Sequence, residues 1–409
     1  MRRYLFIAAL LAASTALALA LAEIMLRTVG PPHEIAVGWG VSEKDLESDR
    51  ETYRVQLAAG PGRRHLRVLL LGDSQVANTG TSPKVLPATI LEEELRKALA
   101  GCGPTHHDAD PDVQVFTLGQ SGWGQDQELL ALSALIATVR PHLVLHWFTP
   151  ENDLWNNAFP THYPRNGTPK PTYVLEHDRL RLTTRYEILP DWTRLRFLAL
   201  SKIAWDKIET RLRQRAGAGT DFTSHFPLPY DPDGRWDRTH LPPTGMARAS
   251  GADDKSADLI RINPYFEWDP IDLEKSHLVI AINPESPRID YMVRLTASLI
   301  REIHMTARRS NAAYAAFYYS AEKTNLPMYP PDGTYRARGY EFVVSHAGMR
   351  ERLAEIFDGV RAYEIALADN DWRLPHNDPH LNSLANRHVL QALSRQLVES
   401  GVACTLPAD

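Results

Sequence analysis

Four short segments of this 409-residue chain carry the side chains needed to move an acyl group. The first is Leu71-Gly72-Asp73-Ser74, in which a small glycine allows a tight exit before a serine. A serine hydroxyl attacks a carbonyl only when a base takes its proton and donors hold the oxyanion that forms. Gly-Asp-Ser alone is weak, because all three residue types are also favoured in ordinary turns. The second segment is Leu118-Gly119-Gln120-Ser121-Gly122-Trp123-Gly124-Gln125-Asp126-Gln127. It offers the Gly122 amide as an oxyanion donor, although a glycine-rich strand-to-helix loop needs no chemistry to explain it. The third, Thr149-Pro150-Glu151-Asn152-Asp153-Leu154, offers the side-chain NH2 of Asn152; helix capping would explain it equally well. The fourth, His376-Asn377-Asp378-Pro379-His380-Leu381-Asn382, brings in histidine, the base best suited to neutral pH. Asp378 would hold the His380 tautomer and stabilise the imidazolium, with Pro379 stiffening the link.

The elements around these segments decide between the readings. Leu66–Leu71 is an unbroken apolar run, as expected for a strand buried on both faces. A helix follows, with Leu86, Ile90, Leu91, Leu95 and Leu99 at helical spacing and a stop at Gly101 and Gly103. A second strand spans 113–118, a helix 125–139 and a third strand 143–148. The rhythm stops after Asn157. Residues 158–285, rich in Pro, Gly, Trp and Tyr, read as a large insertion that covers the site. Periodicity returns with a helix over 289–309, strands over 312–319 and within 361–366, and a final helix over 383–400. Alternation of this kind predicts an α/β fold: a doubly wound, five-stranded parallel sheet in a flavodoxin-like three-layer sandwich. Such sheets bind ligands outside the carboxyl ends of their strands. The first three segments lie just after strands and the fourth just before the last helix.

With these positions the chain resembles the SGNH (GDSL) hydrolase family, whose four blocks carry Ser, Gly, Asn and His. Ser74, Gly122, Asn152 and His380 match them. The resemblance implies a Ser74–Asp378–His380 triad, with an oxyanion hole made by the Ser74 and Gly122 amides and Asn152. It covers residues 66–157 and 290–400. Leu118–Gln127 and Asn152-Asp153-Leu154-Trp155-Asn156-Asn157 look like the membrane-anchored bacterial branch related to exopolysaccharide O-acetyltransferases. Thr117 stands where many members have Asn, and Pro150-Glu151 where they have Gly. The usual acid position, three residues before the histidine, is Asn377; the Asp378-Pro379-His380 spacing resembles the acetyltransferase branch. The expectation is therefore an ester hydrolase or O-acyltransferase acting on acetylated carbohydrate or small esters, without a cofactor. A weakly catalytic assembly protein of a polysaccharide-export complex, and a lipid esterase, are the alternatives.

Met1-Arg2-Arg3 followed by the apolar run from Leu5 predicts an export signal or, preferred here, a retained transmembrane helix over residues 1–30. The basic flank would leave the remainder outside the cytoplasmic membrane, in the periplasm, with the membrane as a partner. Residues 31–62 read as a spacer and 63–405 as the hydrolase-like domain. A net charge of −5 offers no footprint for nucleic acid. The two cysteines cannot build a disulfide framework or a structural zinc site. In a sheet of this order the first and last helices pack side by side, so Cys102 and Cys404 can form a disulfide.

Rival uses of the same residues are a metal site at His376, Asp378 and His380, and another at His106, His107, Asp108, Asp110 and Asp112. Pro379 and the lack of a fourth ligand oppose the first; a solvated loop suits the second better. His146, mid-strand, reads as a satisfied core histidine, and His388, on the last helix, as a packing or surface residue. Trp123 and Trp155 could stack on a sugar ring, as could Tyr230, Trp236, Tyr265 and Trp268 in the insertion. Core packing is the simpler role for Trp123, Trp147 and Trp155.

Overall fold

The apolar runs form the strands expected of them. His65–Gly72 (β1), Asp112–Gly119 (β2), Leu143–Trp147 (β3), Ala313–Ser320 (β4) and Ala362–Ala366 (β5) pair in parallel, in the order β2-β1-β3-β4-β5. The computed structural model describes residues 2–29, 46–47, 65–77, 87–102, 112–158, 161–162, 168–182, 247–248, 278–283, 285–320, 332–337, 340–367, 373–374 and 378–405. A two-residue strand, Leu46–Glu47, adds antiparallel to the outer edge of β2.

Strand β1 shows why the sheet is central. Leu66, Val68 and Leu70 enter one core, whereas Leu69 and Leu71 enter the other, because successive side chains point to opposite faces. Each such burial is worth roughly 1.5–3 kcal/mol, and neither face can be left to water. One face is covered by Pro87–Leu99 (α3) and Ser383–Glu399 (α8). The other is covered by Gln125–Val139 (α4), Pro287–Arg309 (α6) and His346–Ile356 (α7). The result is a three-layer, doubly wound α/β fold. Cys102, past the end of α3, and Cys404, past the end of α8, are joined by a disulfide with Cα atoms 5.5 Å apart.

The expected N-terminal membrane span finds no support in the structure. Arg2–Val29 (α1) is one continuous helix with Tyr4, Phe6, Leu10, Leu11 and Leu17 exposed. Among the described residues, however, no helix is long and apolar enough to cross a membrane.

Two further features lie outside the central sheet. In the insertion, Tyr173–Glu176 and Arg179–Leu182 form a hairpin. A second, antiparallel sheet joins Ile282–Asn283, Gly333–Ala337 and Tyr340–Val344, with Ala247–Arg248 alongside. Two of its strands, Gly333–Ala337 and Tyr340–Val344, lie between β4 and α7 in the chain, where the sequence pattern gave no element. Tyr230, Trp236, Tyr265 and Trp268 lie outside the described residues, as do His106, His107, Asp108 and Asp110.

Candidate active site

The chain leaves β1 at Gly72 and turns at once into a four-residue helix, Ser74–Ala77 (α2). Asp73 makes that turn. Its Oδ1 accepts from the Gln75 amide at 2.9 Å, and its carbonyl accepts from the Ala77 amide at 2.9 Å. Ser74 is the first helical residue and is nearly buried. Strand β2 ends against this turn at Gly119, where a Cβ would lie 2.6 Å from the Gly72 carbonyl oxygen and 2.9 Å from that of Asp73. Any larger residue would push the second segment away from the Ser74 turn. Gly122 follows at φ +76°, in a turn closed by the Trp123 amide donating to the Gln120 carbonyl. Only glycine adopts that backbone freely.

The third segment leaves β3 and is fixed by its own acid. Thr149 N donates to Asp153 Oδ2 at 2.7 Å, and the Asn152 amide donates to the Thr149 carbonyl at 3.1 Å. Asp153–Ala158 (α5) begins immediately afterwards. Asn152 Nδ2 then donates to Asp73 Oδ2 at 2.9 Å, and Thr149 Oγ1 donates to Asp73 Oδ1 at 3.2 Å. A carboxamide has two N–H donors. With one held by Asp73, the direction of the other is set.

The fourth segment, Asp378–Leu381, is extended and pairs with Arg373–Leu374. Leu381 N donates to Gln75 Oε1 at 3.3 Å, which ties this segment to the residue after Ser74. Asn382 caps α8 through its side-chain oxygen and the Ala385 amide. His380 is partly exposed and lies close enough for its charge to act on Asp73. Asp378 belongs to the same extended segment; its side chain lies outside what the structure describes, as does His376. Asp73, Asn152 and the His380 segment are thus joined through the residues flanking Ser74. Gly122 reaches the same group through its neighbour: Asn156 Nδ2, on α5, donates to the Trp123 carbonyl at 3.1 Å.

Burial governs the electrostatics here. Desolvation raises the Asp73 pKa, opposed by the hydrogen bonds from Asn152 and Gln75, the His380 charge and the Thr149 hydroxyl. Burial pushes Glu151 up to about 7 and Asp126 up to about 6, and holds Glu128 and Asp153 well above the usual carboxylate range. It drives His146 down to about 3, so that imidazole is neutral at working pH. His146 Nδ1 lies 2.7 Å from the Tyr314 hydroxyl. Its Nε2 is 2.6 Å from Glu128 Oε2, close but not aligned as a hydrogen bond. Glu151 lies near the Tyr319 hydroxyl, again without an aligned hydrogen bond.

Several residues carry more, or less, than the sequence pattern indicates. Trp123 and Trp155 are 1% and 4% exposed and sit in the core, so the proposed stacking on sugar is corrected: neither ring has a free face. Trp147 is likewise core. His388 Nε2 lies 3.4 Å from the Ala366 carbonyl at the end of β5. Among the described residues no cluster of His, Cys, Asp and Glu is arranged to hold a metal ion. The bonds from Asp73 to Asn152 and Thr149, and the buried Glu151 and Lys170, have no signature in spacing.

No family model matches the chain, and no curated protein matches it in sequence. Among solved structures it is similar to an acetyl xylan esterase from the rumen bacterium Butyrivibrio proteoclasticus, with a TM-score of 0.33 and 8% identity. The match covers 84% of this chain and 65% of that one, so this chain spans just under two thirds of its neighbour's length. A likeness of that degree fixes neither family nor activity.

Proposed function

We propose that the protein is a serine-dependent acyl-ester hydrolase or O-acyltransferase of the SGNH type, acting on an acetylated carbohydrate outside the cytoplasm. The observation that carries this reading is the pair of bonds flanking Ser74: Asp73 holds Asn152, and Gln75 holds the segment of His380. A turn built only for folding has no need to gather a carboxamide and a histidine around one serine. In this reading His380 takes the Ser74 proton as Oγ attacks the ester carbonyl, and Asp378 stabilises the resulting imidazolium. The amides of Ser74 and Gly122 and the Asn152 side chain hold the oxyanion. Collapse expels the alcohol, which takes the proton from His380, and leaves an acyl group on Ser74. Water or a sugar hydroxyl then removes that group by the reverse sequence.

The Cys102–Cys404 disulfide supports a location in an oxidising compartment. The carbohydrate substrate rests on the sequence resemblance. The test is turnover of nitrophenyl acetate by wild-type and Ser74→Ala protein, with folding checked by circular dichroism. Turnover should be abolished; unchanged turnover in folded Ser74→Ala protein defeats the reading. Product analysis with an acetyl donor, with and without polysaccharide acceptor, separates transferase from hydrolase.

A further inference from the structure

The first turn of α4 is a chemical anomaly. Gln125, Asp126, Gln127 and Glu128 are all fully buried, although each is polar or charged. A buried charge persists only where it is paired and hydrogen-bonded. The partner of Asp126 comes from the insertion: Lys170, 2% exposed, places Nζ 3.1 Å from Asp126 Oδ2 and 3.3 Å from Oδ1. The same ammonium donates to Gln127 Oε1 at 3.2 Å and to the Asn156 carbonyl. Each acceptor is tied to a proposed oxyanion donor. Gln127 Oε1 also accepts from Gly124 N at 3.0 Å, two residues beyond Gly122. Asn156 lies one turn after Asn152, and its amide donates to the Asn152 carbonyl at 2.9 Å. Gln127 Nε2 donates to the Pro171 carbonyl at 2.6 Å, and Asn157 Nδ2 donates to Gln125 Oε1 at 2.6 Å.

We infer that Lys170 is a positioning residue that sets the separation of the Gly122 loop and Asn152. This rests on the oxyanion-hole assignment above. Through one buried ammonium, the segment that carries Lys170 braces α4 against α5. An apolar residue of similar volume would fill the space at least as stably, because a buried ion pair often contributes no net stability. It could not hold three acceptors from two different segments at once.

The test compares Lys170→Met and Lys170→Met/Asp126→Asn with wild type, using nitrophenyl acetate turnover, fluorophosphonate labelling of Ser74 and Tm. The double variant removes the charge left unpaired in the single one, so its Tm should return toward wild type. Its kcat and labelling rate should nevertheless stay roughly 10- to 100-fold low, with KM changed less than about threefold. A double variant with wild-type kcat and labelling would overturn the inference, since Lys170 would then only neutralise Asp126. Ser74→Ala run alongside separates the two failures. Turnover surviving Ser74→Ala defeats the site itself, whereas turnover lost there but intact in the double variant defeats only the role of Lys170.

Discussion

Asn152 donates its side-chain amide to Asp73 Oδ2 across 2.9 Å, so the residue before Ser74 orients a donor from the third segment. Asp73 therefore does more than shape a turn. Asp73→Asn presents an amide where Asn152 needs an acceptor and should lower kcat by about 10- to 100-fold with KM nearly unchanged. Asn152→Ala should cost roughly 100-fold or more. Combining the two should cost little beyond Asn152→Ala alone, because residues in one network are not additive. Steady-state kinetics on the three variants tests this, and strict additivity would show that Asp73 does not act through Asn152.

Gln75 should matter through the His380 segment. Its Oε1 accepts the Leu381 amide, and Gln75→Leu leaves that buried N–H without its partner. A loss of roughly 1–3 kcal/mol is expected in denaturant unfolding, together with a fall in kcat as His380 loses its fixed approach. A kcat equal to wild type would mean that the segment is held by other contacts.

Glu151 gives a stability dependence on pH with a defined sign. Burial raises its pKa from 4.5 to about 7 in the folded protein, so the native state keeps a proton that the unfolded chain releases. Its contribution to stability is fully present below about pH 4.5 and is lost as pH rises toward 7. The difference is on the order of 3 kcal/mol. Glu151→Gln keeps the shape and removes the titration. Its unfolding free energy should therefore fall less than that of wild type across this window, and parallel curves would contradict the prediction.

The disulfide closes a loop with a sequence separation of 302. Cys102→Ser/Cys404→Ser should lower stability by roughly 2–5 kcal/mol, read as a drop in Tm, while leaving kcat near wild type. The bridge ties α3 to the end of α8, on the face away from the Gly122 loop and α4. A large loss of kcat in folded protein would mean that the bridge reaches the site.

The sheet was legible because its signals are strong and local. Leu66–Leu71 can be little else than a buried strand, and α4 runs from Gln125 to Val139 as its spacing predicts. The hairpin of Gly333–Ala337 and Tyr340–Val344 was not legible, since short strands with mixed exposure leave no clear period. At the site, residue types pointed to Ser74, Gly122, Asn152 and His380. They could not show that Asp73 reaches Asn152 or that Lys170 reaches Asp126. Such contacts depend on loops meeting in space, and nothing in the spacing of 73, 126, 152 and 170 encodes them. Trp123 and Trp155 were open to a surface role for the same reason: local sequence does not tell a buried aromatic from an exposed one.

The most direct measurement is mass spectrometry of the Ser74 peptide after brief exposure of the wild-type protein to a fluorophosphonate. A phosphonyl adduct on Ser74 is expected, absent in Ser74→Ala and formed far more slowly in His380→Ala. An unmodified Ser74 in protein that still turns over nitrophenyl acetate would contradict the central claim.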